Sequence, residues 1–208
     1  MKFIQLNSDI LEVLEPYREW FFSQDLKSMP ITKAGKHDKE SCATIEYLQE
    51  IMAKPMGKNS ETRKDFHEGP PEVVRNVHFG PGSGCSEEHK QRSAQINKDL
   101  VSFLGARFSA VHVYYPHDGF MGWHNNWDCP GYNILINYNS GDGWFKYWDT
   151  NSKTIQTMED PMGWSAKVGY YGGPENPFYH CAGGGPRITF GFVIPDKNMW
   201  EMMIEDIT

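Results

Sequence analysis

RFSAVHVYYP (107–116), GFMGWHN (119–125), YNILINYN (132–139), GWFKYWD (143–149), KTIQTM (153–158), SAKVGYY (165–171), PFYHCA (177–182) and RITFGFVI (187–194) follow one another in the second half of the chain. Each run is short and rich in β-branched and aromatic residues, which suit a pleated, half-buried surface. Gly, Pro, Asn and Asp separate them and supply turn chemistry. Eight such strands at close spacing predict an all-β sandwich or barrel.

The residues before them read differently. Ile10, Leu11, Leu14, Tyr17 and Phe21 recur at helical spacing over 8–24, with Ser8 or Asp9 as cap and Pro16 predicting a break or a fresh start. A second helix is expected from Ser41 to Lys54, ending before Pro55. Residues 55–72 are polar and punctuated by Pro and Gly, a surface loop. The GPGSG at 80–84 lacks the G-K-[ST] ending of a phosphate loop and is a plain turn. Ser86 caps a helix over 87–104 whose Ile96, Leu100, Phe103 and Leu104 form one apolar stripe laid against a sheet. Helices first and strands afterwards mean helices backing a β core, not alternating βαβ units. The chain therefore reads as one domain: helical and loop support over 1–106, a β core over 107–194, and a tail over 195–208 (DKNMWEMMIEDIT in part) that packs as a helix.

Composition narrows the function classes. Twenty basic against 27 acidic residues give a formal charge of −7, no footprint for gripping duplex nucleic acid. Cys42, Cys85, Cys129 and Cys181 are scattered without a C-x-x-C pair, as free thiols in a reducing cytosol would be. MKFIQLNSDILEV has no continuous apolar stretch, and no run approaches the ~18 apolar residues that span a bilayer. A cytoplasmic location and no membrane association are the expectation. Serine hydrolase, nucleotide hydrolase and glycosidase constellations do not stand out.

The chemistry-bearing stretch is Trp123-His124-Asn125-Asn126-Trp127-Asp128, which closes one strand and enters the next loop. A histidine at a strand end, with oxygen-bearing side chains two and four residues on, can aim these groups at one point. Fe(II) favours two imidazoles and one carboxylate on a single face, with open positions for substrate and oxygen. His180, on the penultimate strand, is the candidate second imidazole. Arg187 and Thr189, at i and i+2 of the last strand, project together and form a clamp for a carboxylate. Alone, a His near an Asp is a surface pair, a His between Tyr179 and Cys181 a core histidine, and an Arg a surface ion-pair partner. The case rests on their joint placement.

GWHNNWD, YNILINYN, PFYHCA and PRITFGF together resemble the Fe(II)/2-oxoglutarate-dependent oxygenases, specifically the small prolyl-hydroxylase-like branch that includes short oxygenase-like proteins of tailed phages. The resemblance covers roughly residues 107–194. It implies a double-stranded β-helix (jelly roll or cupin-like), with iron at its mouth chelated by the 2-oxo acid end of 2-oxoglutarate. The far carboxylate would meet Arg187 and Thr189. Tyr115 or Tyr138 would add a hydroxyl to the cosubstrate pocket, and Trp123 and Trp127 an apolar wall for substrate. Molecular oxygen and an unidentified small molecule or protein side chain would be the other partners, with succinate and CO2 released.

One departure matters. The family pattern is H-x-D/E, and here Asn126 stands where the carboxylate belongs, followed by Asp128. Asp128 loops back as ligand with Asn126 hydrogen-bonding behind it, or Asn126 binds through its amide oxygen, or the site is degenerate. Fe(II) prefers the charged oxygen. A halide-binding site is a poorer match, because Asn is bulkier than the Gly or Ala expected there. Two rival readings stand beside the oxygenase: a cupin-like metal enzyme that uses no 2-oxoglutarate, and a non-catalytic β-helix module that has lost its metal. A lid over the site is expected from 55–84 or from the turn at 140–143.

Overall fold

The computed structural model describes residues 1–58 and 66–208. Eleven strands and four α-helices occur among them: β1 (Lys2–Ile4), α1 (Ser8–Phe22), β2 (Thr32–Ala34), α2 (Ile45–Ala53), β3 (Val74–His78), α3 (Glu87–Phe103), β4 (Phe108–Tyr115), β5 (Phe120–His124), β6 (Gly131–Asn139), β7 (Trp144–Asp149), β8 (Thr154–Glu159), β9 (Gly163–Tyr171), β10 (His180–Gly183), β11 (Arg187–Ile194) and α4 (Lys197–Ile207). All eight strands expected after residue 107 are present as β4–β11. The fold is mostly antiparallel β, one curled sheet in the order β1-β9-β6-β11-β4-β3-β5-β10-β7-β8, with β2 paired to β3.

β3 makes the bend. Its Val77 and His78 pair with β4, while Val74 and Arg75 pair with β5. Two rows of four strands, β9-β6-β11-β4 and β5-β10-β7-β8, lie on either side of that joint. β1, β2 and β3 are short, and the sequence reading did not anticipate them; β3 falls inside the segment read as a lid. The turn at 140–143, the other segment read as a lid, is tied to the 183–186 turn: Ser140 N donates to Pro186 O at 2.9 Å and Gly185 N to Asp142 Oδ1 at 3.2 Å. A Cβ on Gly141 would lie 2.1 Å from Gly185 O, so glycine is what allows the two turns to meet. Residues 59–65 of the other expected lid lie outside the described residues.

Period-two alternation gives the first row two different faces. Ile134, Ile136, Ala166, Val168, Ile188, Phe190, Phe192, Ile194 and Tyr114 point outward into a core shared with Ile10, Leu14, Tyr17 and Phe21 of α1, Ile96 and Leu100 of α3, and Met203 and Ile207 of α4. That core explains why Pro16 does not break α1. An interior proline costs about 3 kcal/mol, whereas each of the three fully buried apolar side chains on the helix, Ile10, Leu14 and Phe21, contributes about 1.5–3 kcal/mol. The cap is Asn7, one residue earlier than expected, whose Oδ1 accepts from Asp9 N and Ile10 N. Ser86 caps α3 as read, but Phe103 is exposed and leaves the stripe. A second, smaller core lies under α2 and the second row, with Tyr47, Leu48, Ile51, Phe120, Trp123 and Cys181.

Candidate functional site

The inward faces of the two rows enclose a cavity of about 390 Å³. Asn133, Leu135 and Asn137 of β6, Lys167 and Tyr171 of β9, Arg187 and Thr189 of β11, and Tyr115 of β4 line one side. Met121 and His124 of β5, Phe145 of β7 and His180 of β10 line the other; Asn126, Asp128 and Cys129 stand in the loop that follows His124.

His124 and His180 are cross-strand partners. Their ring centroids are 4.1 Å apart. The register shows how both come to face inward: His180 pairs with His124 and Ala182 with Met121, so β5 spends three residues against two of β10. This bulge re-aims the strand, bringing Met121 and His124 to the same side. In each imidazole Nδ1 bonds the carbonyl two residues upstream, Gly122 O at 2.8 Å for His124 and Phe178 O at 2.9 Å for His180. A carbonyl only accepts, so Nδ1 carries the hydrogen and Nε2 keeps the lone pair, the tautomer a metal ligand requires. Burial, reinforced by the neighbouring His180, holds His124 well below the ordinary histidine range. Burial takes His180 down to about 4. Both rings are neutral at pH 7.

The oxygen ligands are arranged less simply. Asn126 sits in the left-handed region (φ 51°), which asparagine tolerates better than most residues. Its backbone N–H donates to Gly69 O at 3.0 Å, as does that of Asn125 at 3.3 Å. Asp128 Oδ2 lies 2.9 Å from Lys58 Nζ. A Cβ on Gly69 (φ 109°) would come within 2.8 Å of Asp128 Oδ1, so this glycine keeps room for the carboxylate. No three of His, Cys, Asp and Glu stand close enough together among the described residues to hold a metal ion. The expected trio of His124, Asp128 and His180 is therefore not assembled, because Asp128 turns to Lys58.

Arg187 lies across the cavity wall, 1 % exposed. One nitrogen, Nη1, donates to Asp160 Oδ2 and, at 3.1 Å, to Trp144 O. Nε and Nη2 have no partner among the described residues. The guanidinium carbon sits 4.3 Å from the centroid of the Tyr115 ring, which holds the plane of the fork. Thr189 Oγ1 donates to Asn137 Oδ1 at 2.7 Å, leaving Asn137 Nδ2 without an acceptor. The Tyr171 hydroxyl is likewise buried without a partner among the described residues. Lys167 Nζ pairs with Asp160 Oδ1. Burial raises the Asp160 carboxyl, but the two cations outweigh it and hold the group below the usual carboxylate range. Burial brings the Lys167 ammonium down to about 8, so it is charged at pH 7.

Of the residues expected from sequence, His124, Asn126, Asp128, His180, Arg187, Thr189 and Tyr115 line this one cavity. Three do not. Tyr138 falls on the opposite face of β6 and packs on Phe22 and Trp164. Trp123 is turned by the same bulge into the smaller core, where its indole nitrogen donates to Thr44 O at 3.0 Å. Trp127 spends its indole N–H on His67 O at 3.0 Å. The softer candidates His112 and His117 also lie elsewhere, His112 on the outer face against Tyr17 and His117 near the 140–143 turn. Lys167, Asn137 and Tyr171 were missed. The one signal for Lys167 was a cation between Ala166 and Val168 in a buried strand.

No helix among the described residues is long and apolar enough to cross a membrane. No family model matches the sequence, and no curated protein matches it. Among solved structures, a prolyl-4-hydroxylase of Pseudomonas putida is similar over 82% of this chain and 95% of its own, at 14% identity and a TM-score of 0.34. At that distance the likeness carries no argument about activity, and the residues of the cavity have to speak for themselves.

Proposed function

We propose that the protein is an Fe(II)- and 2-oxoglutarate-dependent oxygenase that hydroxylates a small molecule or a protein side chain. The observation that carries this reading is the open Nε–Nη2 edge of a buried guanidinium in the wall of the same cavity as a neutral histidine pair. Leaving such donors unmet costs about 1–3 kcal/mol each. A carboxylate satisfies both at once, because that edge matches its two oxygens. The order β9-β6-β11-β4 beside β5-β10-β7-β8 supports a double-stranded β-helix as the scaffold.

In this reading His124 and His180 would hold the metal through Nε2, with an oxygen from Asn126 or Asp128, the two cavity-lining oxygen bearers that follow His124. When bound, the metal couples reduction of O2 to conversion of 2-oxoglutarate into succinate and CO2 and to insertion of one oxygen atom into a substrate C–H bond. The chain's own work is binding and exclusion. Arg187 receives the far carboxylate and Asn137 Nδ2 adds a donor, with its amide oriented by Thr189. Tyr115 keeps the guanidinium in plane. Phe145, Tyr171 and Phe178 pack around His180 and keep water from the imidazole pair.

The test is an anaerobic titration with Fe(II) and then 2-oxoglutarate, following the weak visible charge-transfer absorption. Wild type should develop the band and Arg187→Ala should lose it. Loss in Asp128→Ala with retention in Asn126→Ala assigns the oxygen ligand to Asp128, and the reverse assigns Asn126. Binding of 2-oxoglutarate without iron uptake would leave a carboxylate-binding module and end the oxygenase reading.

A further inference from the structure

The inner face of β11 changes character along its length. The cavity-lining residues it carries are Arg187, Thr189, Gly191 and Val193. Antiparallel neighbours extend each position into a layer: Tyr115 beside Arg187, Asn137 beside Thr189, Val111 and Leu135 beside Gly191, and Phe108 and Asn133 beside Val193. A strand advances about 3.4 Å per residue, so Val193 lies about 14 Å beyond Thr189. Over that distance the wall turns from polar to apolar. Val111 and Leu135 close over the backbone of Gly191, where a Cβ would lie 2.5 Å from Val111 Cγ1 and 2.9 Å from Leu135 Cδ2. Leu135 and Val193 are buried, yet they belong to neither hydrophobic core. The loop that follows His124 runs directly into β6 at this end, where a Cβ on Gly131 would lie 2.6 Å from Val193 Cγ1.

The polar groups at this end are engaged among the described residues. Ser109 Oγ donates to Asn97 Oδ1 (3.0 Å) and Asn133 Nδ2 to Gly131 O (2.8 Å), while Asp128 is paired with Lys58. Arg107 is exposed and does not line the cavity; its guanidinium carbon lies 5.9 Å from the centroid of the Phe108 ring. A charged group placed between Val111, Leu135 and Val193 would lose its hydration and gain no counter-charge. A hydrocarbon group gains by leaving water there. We propose that this end of the cavity, bounded by Phe108, Val111, Leu135 and Val193, is the substrate site and takes an uncharged hydrocarbon group, held by burial beside the loop that follows His124. This rests on the oxygenase reading, in which the Arg187 end is taken by the carboxylate of 2-oxoglutarate.

Calorimetric titration at pH 7 first loads the protein with Mn(II) and saturating 2-oxoglutarate, which keeps other carboxylates off Arg187. It then compares toluene, benzoate and benzylammonium, three probes built on one ring that differ in charge. Toluene should bind with a Kd below about 1 mM and at least about tenfold more tightly than either ion. No toluene binding, or equal or tighter binding of an ion, overturns the proposal. Val111→Asp sets a carboxylate in the half-buried part of this wall and should weaken toluene about tenfold while reversing its order with benzylammonium. An unchanged order overturns the proposal, and should Val111→Asp not fold, the three probes on wild type decide it. N-acetyl-leucinamide separates the two sources of such a group: tighter binding than toluene assigns it to a protein side chain, weaker binding to a free small molecule, and the proposal stands in both. Protein that fails to take up 2-oxoglutarate in the loading step loses the oxygenase reading and this substrate assignment with it. Protein that takes up 2-oxoglutarate and prefers an ionic probe loses this inference alone.

Discussion

His112 and Arg187 sit on neighbouring strands of one sheet, point to opposite faces, and are treated in opposite ways. His112 on the outer face has both ring nitrogens engaged: Nε2 with Tyr17 Oη at 3.2 Å, and Nδ1 with Ser93 Oγ at 2.7 Å and Asn97 Nδ2 at 3.0 Å. Arg187 on the inner face keeps two of its three nitrogens without a partner among the described residues. A polar group taken out of water needs its hydrogen bonds, so a satisfied one is part of the structure and an unsatisfied one awaits something the fold does not supply. The outer face is finished. The inner face is built for a ligand.

The largest effect that sharpens this contrast should come from Phe190→Ala on the outer face. Phe190 is fully buried between α1 and the sheet, and its truncation should remove about 3–5 kcal/mol of stability by urea unfolding while leaving the affinity for 2-oxoglutarate intact. Arg187→Met should do the reverse. It removes a buried charge whose partner Asp160 still holds Lys167, so stability should change less than in Phe190→Ala. Affinity for 2-oxoglutarate should fall by about 100-fold or more, the scale expected when one partner of a buried, hydrogen-bonded charge pair is removed. A stability loss matching Phe190→Ala, with ligand binding retained, would make Arg187 a structural residue and erase the distinction between the faces.

A smaller effect comes from acid. Burial depresses His112 to about 3 in the folded protein, against the 6.5 of an unperturbed histidine. Between those values the unfolded chain binds a proton that the folded one refuses. The His112 contribution is therefore fully present above pH 6.5 and is lost as pH falls from there toward 3. At pH 5 the loss should be about 1–2 kcal/mol. His112→Phe should flatten this part of the pH–stability curve relative to wild type, and an identical slope in the two proteins would show that His112 is not held neutral. The smallest effect belongs to Lys58→Ala. Its ion pair with Asp128 is largely exposed on the lysine side, so stability should move by less than about 0.5 kcal/mol. Mn(II) affinity should rise roughly twofold to fivefold as Asp128 is released. Unchanged affinity would leave Asn126 as the oxygen ligand.

The sequence by itself determined the strands. β4–β11 were legible because each is a short apolar and aromatic run bounded by turn residues, information carried within about ten neighbouring positions. Ser86 as a cap and the α4 tail were legible for the same local reason. Arg187 and Thr189 on one face followed from the two-residue period of an unbroken strand. What failed was whatever depended on a bulge or on a distant partner. Trp123 was read as a wall of the site, yet the extra residue in β5 sends it to the core and His124 to the cavity, and no residue in GFMGWHN announces that extra residue. Tyr138 was offered as a cosubstrate ligand, yet Ile134, Ile136 and Tyr138 share the outer face. The burial of Asp160 against Lys167 and Arg187 joins three segments that meet only when β9, β6 and β11 pair. Local pattern specifies which residues form strands and which face alternates. Only pairing register and sheet order decide which charges share a wall, because those are contacts between residues that the chain itself holds far apart.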